Sequence, residues 1–158
     1  MTPQDEEYRS YWAIKILSKN FTAPLTITLN AVDVQIQPIP FTFDAGAAPQ
    51  AGQSWEVNQS LQILDSPIQI QKASLLTSSD VGLYFMVDVQ VDPTTIGDVY
   101  ISTPLSQCKG GGSTYPTEHL SLIQVYMPMC RPDLPPGMVK MEVHGAVLWV
   151  QWQLTWQP

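Results

Sequence analysis

Apolar and polar residues alternate along most of this chain, with a period of two. Over 81–91, Val81, Leu83, Phe85, Val87, Val89 and Val91 fall on one face, and Gly82, Tyr84, Met86, Asp88 and Gln90 on the other. That is the pattern of a strand with one face against a core. The stretch 54–64 repeats it: Trp55, Val57, Leu61 and Ile63 oppose Glu56, Asn58, Ser60 and Gln62. In 25–30, Leu25, Ile27 and Leu29 oppose Thr26, Thr28 and Asn30. Strands are also predicted over 11–17, where Trp12, Ile14 and Ile16 share a face, and over 68–76, 99–103 and 120–129. Turn-forming residues separate them, and the longest loop, 104–119, centres on Gly110, Gly111 and Gly112. No segment sustains apolar residues at helical spacing. About eight to ten strands in a chain of this size predict an all-β, antiparallel sandwich, jelly-roll-like, in which the first and last strands are neighbours. Trp12 is then expected near Trp152 or Trp156. The domain is expected over 11–158, after a tail at 1–10.

Twice the alternation changes phase. In 138–158, Val139, Met141 and Val143 are apolar at odd positions, whereas Ala146, Leu148, Val150, Trp152, Leu154 and Trp156 are apolar at even ones. A one-residue slip moves every side chain to the other face. Gly145 is therefore expected to mark a bulge, through the backbone freedom of glycine. The change from Leu25, Ile27 and Leu29 to Val32, Val34 and Ile36 predicts a second bulge near Ala31. Pro38 and Pro40 lack amide hydrogens and are expected to end the pairing there. If the even face of the last strand is core, Trp152→Ala should cost about 3–5 kcal/mol. Its other face then presents Val147, Trp149, Gln151, Gln153, Thr155 and Gln157 as an outer strip and the candidate interface.

Composition changes this picture in one respect. Apolar residues make up 44% of the chain, but charged residues only 13%, against about 25% in typical soluble domains. Glutamine, serine and threonine supply the remaining polarity. Neutral polar surface costs less to desolvate than charge, which suits packing against neighbours. The net charge of −7 and the scattered cations argue against direct nucleic acid binding. No apolar run approaches the length of a membrane span. The opening MTPQDEEYRSYW lacks a basic and an apolar region, so no signal peptide is expected. Cys108 and Cys130 form a possible disulfide; without a secretory signal, two free thiols are favoured.

Candidate chemistry is sparse. His119 and His144 have no partner named by spacing, and no G-x-S-x-G surrounds a serine. Cys108, His119, Cys130 and His144 do not have the paired spacing of structural zinc sites. Asp88, Asp92 and Asp98 do not follow an EF-hand order, and the glycine run is no phosphate loop. No enzyme, metal or cofactor is expected. Trp12, Trp55, Trp152 and Trp156 fall on apolar phases, whereas Trp149 does not, which makes it the best exposed anchor for a partner.

In strand rhythm from Tyr11 to Trp156 and in its low charge, the chain resembles viral single-jelly-roll capsid and capsid-decoration proteins. These include the smaller capsid proteins of tailless, membrane-containing phages. The resemblance is carried by pattern, not by a motif. It implies a structural subunit of a virus or phage particle, made in a host cytoplasm and resident in the virion. Its partners would be further copies of itself and other capsid subunits, with function carried by interfaces. Two alternatives use the same fold class. One is a carbohydrate-binding module, lectin or phage tail-tip receptor-binding domain, with a glycan as partner and exposed aromatics such as Tyr115 or Trp149. The other is a small lipid-surface-binding β-sandwich.

Overall fold

The computed structural model of the chain describes residues 24–106, 111–114 and 121–156. The expected tail and first strand, with Trp12, lie outside these residues, as do Cys108, Tyr115, His119 and Gln157. Eight strands form: β1 (Leu25–Asp44), β2 (Ser54–Ile63), β3 (Ser66–Ser78), β4 (Gly82–Gln90), β5 (Ile96–Ser102), β6 (Gly112–Thr114), β7 (Leu122–Pro128) and β8 (Met138–Trp156). They build two antiparallel sheets, ordered β1-β8-β5 and β2-β3-β4-β7-β6. This is the all-β sandwich that the alternation predicts. Its first and last described strands pair along most of their length.

The core lies between the sheets. Phe41 and Phe43 of β1, and Val139, Met141 and Val143 of β8, face Ile70, Leu75, Phe85, Val87, Val89, Ile123 and Val125 of the larger sheet, and all are buried. Phe43 joins the layers. Its ring stacks on Trp55 at 5.2 Å and meets the edge of Phe85 at 6.0 Å. Fully burying each such side chain stabilises the fold by roughly 1.5–3 kcal/mol before entropy is counted.

Three local expectations need correction. Pro38 and Pro40 interrupt β1 but do not end it: the register breaks between Gln35 and Ile39, pairing then resumes, Pro40 pairs with Glu142, and the strand continues to Asp44. The reason is position, since β1 is an edge strand among the described residues, and edges tolerate the missing amide. The long loop 104–119 contains β6, which pairs Gly112–Thr114 with β7. Gly145 does sit at an irregularity, where Tyr100 pairs with Gly145 but Ile101 with Val143, leaving His144 as the additional residue. The need for glycine, however, is space and not backbone angle. A Cβ there would lie 2.6 Å from the Val34 carbonyl oxygen and 2.9 Å from Tyr100 Cδ2.

One turn carries strain. Ile63 pairs with Ser66, so Leu64 and Asp65 form a two-residue hairpin loop. Leu64 has φ 50, a left-handed conformation that costs a branched residue about 1–2 kcal/mol. Its side chain is exposed and makes no core contact in return. Leu64→Gly should therefore raise the unfolding free energy by about 0.5–1 kcal/mol. Chemical denaturation would check this, and a loss of stability would show that the turn is not strained.

Candidate functional site

The site grows from the different lengths of the three strands in the smaller sheet. β5 pairs with β8 only as far as Ile96 opposite Leu148, and its last link is the Trp149 amide donating to the Thr95 carbonyl at 2.9 Å. Beyond this, among the described residues, β8 has only β1 beside it. Leu29 pairs with Trp152, Ile27 with Leu154 and Leu25 with Trp156. The two strands therefore leave the sandwich as a two-stranded ribbon. Residues 151–155 are all exposed.

The register assigns the faces. From Leu29 to Ala31, β1 advances two residues while β8 advances three, from Trp152 to Trp149. A register shift does fall at Ala31, but β1 does not bulge there as predicted: the additional residue lies on β8, at Val150 or Gln151. Directly paired residues share a face. Leu25, Ile27 and Leu29 thus lie with Trp152 and Leu154, and this face continues into Ala31 and Trp149 on the outer surface of the sheet. On the other face are Thr26, Thr28, Asn30, Gln153 and Thr155. The Thr26 and Thr155 hydroxyls meet there at 3.3 Å. Thr28, Asn30, Gln151 and Gln153 line one shallow recess, which places Gln151 on this face as well.

Two expectations are overturned by this bulge. The even-numbered residues of β8 are not one core face. Ala146 is buried and Leu148 packs against the core, but Trp152 is 61% and Leu154 55% exposed. The expected outer strip is not one surface either. Val147 and Trp149 belong to the apolar face, Gln151, Gln153 and Thr155 to the polar one, and Gln157 lies outside the described residues. Trp149 is 50% exposed, as its phase predicts. Its indole covers Gly97, where a Cβ would come within 2.7 Å of the ring. Sequence reasoning missed Gly97, although a glycine near a strand start is a known signal of such close approach.

The ribbon carries no charge: 25–31 and 148–156 contain no Asp, Glu, Lys or Arg. Its chemistry is apolar contact on one side and neutral hydrogen bonding on the other. The acidic residues considered for a cation are engaged separately. Asp88 is buried and bonded to Lys72 at 3.2 Å and to Gln124 at 2.9 Å. Asp92 accepts from the Thr94 hydroxyl and amide, and these bonds hold its carboxyl below the usual value. Asp98 accepts from the Val99 amide at 2.7 Å. His144 is half-buried beside Tyr100, with ring centroids 6.1 Å apart. Among the described residues, no group of three or more His, Cys, Asp or Glu converges. Cys130 is disulfide-bonded, in contrast to the free thiol expected. Bridging requires a close Cα separation that only the fold can supply. Cys108 is the only other cysteine in the sequence.

The fold and its surface define an antiparallel β-sandwich that projects an uncharged, amphipathic β-ribbon. Comparisons with protein families, with curated proteins and with solved structures find no match to this chain. No helix among the described residues is long and apolar enough to cross a membrane.

Proposed function

We propose that this chain is a structural subunit that works by self-association, and specifically a small capsid or capsid-decoration protein of a virus or phage particle. The observation that carries the reading is the ribbon with its open apolar face. An isolated two-stranded ribbon is marginally stable in water and needs further strands or packing to persist. Large exposed apolar patches mark interaction sites on soluble domains. The low charge and the neutral amides on strand faces support the same reading, because such surface is cheaply desolvated at contacts between subunits. In this reading the protein is not an enzyme, and its partners are further copies and other subunits of the particle.

The purified full chain is expected to form a defined oligomer whose mass, by light scattering and analytical ultracentrifugation, increases with concentration to a plateau. A chain that stays monomeric from micromolar to near-millimolar concentration would remove the basis of this proposal.

A further inference from the structure

We propose that the apolar face of the ribbon is a two-fold interface, seated against the same face of a second copy of this chain. This rests on the self-association reading and names the surface and the partner. Three observations select that partner.

The first is charge. At a net charge of −7, two copies repel each other over most approaches. A face without any ionised group is where they can meet without like-charge juxtaposition or the desolvation of a charge.

The second is area. At the exposures of Trp149, Trp152 and Leu154, these three side chains present on the order of 350–400 Å² of surface. Half-buried Leu25, Ile27 and Leu29 extend the patch along β1. Two such patches with their polar margins reach about 1,000 Å², the lower end of specific protein interfaces. Face-to-face stacking turns two marginal ribbons into a four-stranded, two-layered unit. The apolar residues lie inside it, and Thr26, Thr28, Gln153 and Thr155 remain outside in water.

The third is length. The free-standing ribbon has about six residues per strand, roughly 20 Å. A membrane-spanning strand needs about 9–11 residues, more than the described ribbon has per strand. It also has no cation to hold an anionic surface.

The test compares the full chain with a double variant, Trp152→Ser with Leu154→Ser, and with a control on the opposite face, Thr28→Ser with Gln153→Ser. Both affected apolar side chains are exposed, and thermal unfolding followed by circular dichroism confirms that each variant folds. By sedimentation velocity, the double variant should raise the dissociation constant at least about 100-fold, while the control stays within about threefold of the parent chain. Under mild oxidation, Leu154→Cys should give a reducible covalent dimer and Thr155→Cys should not. If the parent chain and the double variant associate equally, and Leu154→Cys does not cross-link, the interface lies elsewhere. In that outcome this inference fails and self-association stands. A parent chain that is monomeric throughout defeats both proposals. A monomer that floats with neutral phosphatidylcholine vesicles, and loses this on Trp152→Ser, assigns the face to lipid and overturns the second copy as its partner.

Discussion

Phe85→Ala is expected to lower the unfolding free energy by about 3–5 kcal/mol, and Trp152→Ala by about 1 kcal/mol or less. Both residues are large aromatics at apolar positions of an alternating strand, so periodicity alone treats them alike. Their surroundings differ. Phe85 is fully buried between the two sheets, in an edge-to-face contact with Phe43. Removing its ring leaves a cavity that neighbours from two layers cannot fill. Trp152 stands on a two-stranded ribbon, 61% exposed, with Leu29 as its cross-strand neighbour. Truncating it forfeits one such pair and some shared apolar contact. Urea unfolding at a concentration where the chain is monomeric separates the two cases. A loss at Trp152 comparable to that at Phe85 would show that the ribbon is packed within a single copy.

Gly145→Ala is expected to cost about 1–3 kcal/mol, a large effect for a single added methyl group. β8 passes between β1 and β5 at this point, and a Cβ would press on the Val34 carbonyl oxygen from one side and the Tyr100 ring from the other. The ring can turn aside, but the carbonyl belongs to the β1 backbone, so strand spacing must yield. Gly112→Ala is the matched control, because a Cβ there meets nothing within 4 Å. It should change stability by no more than about 0.5 kcal/mol. Differential scanning calorimetry on the two variants would decide the matter. If Gly145→Ala melts with the parent chain, the close approach is softer than the geometry states.

These two results bear on how assembly and folding divide the chain. The core residues of β1, β4 and β8 stabilise the sandwich, and the ribbon adds little to it. A surface that adds little to folding is free to be used for association. Substitutions there change affinity while leaving the fold intact.

Alternation by itself determined the fold class and most strand positions. The faces of β2 and β4 follow it closely, because each is a strand with one side against a core and a partner on each side or at one edge. The register shifts between Glu56 and Gln59 and between Ile70 and Lys72 went unpredicted. Alternation did locate two of the others, near Gly145 and near Ala31, since a change of apolar phase has to coincide either with a bulge or with a change of side. Which of these it is cannot be read from one strand. At Gly145 the phase changes because the strand bulges, and both apolar sets point into the core. Between Trp149 and Trp152 the strand bulges again, and the apolar set after it points outward. The difference is made by β5, which ends opposite Leu148 and, among the described residues, leaves the rest of β8 without a third strand or an opposing sheet. How far a neighbouring strand extends is a property of the assembled sheets, encoded far away at 96–102. Only the tertiary structure therefore decided that Trp152 and Leu154 are surface, that Gln151 and Gln153 lie opposite Trp149, and that the candidate site is a ribbon instead of a core strand with a polar outer strip.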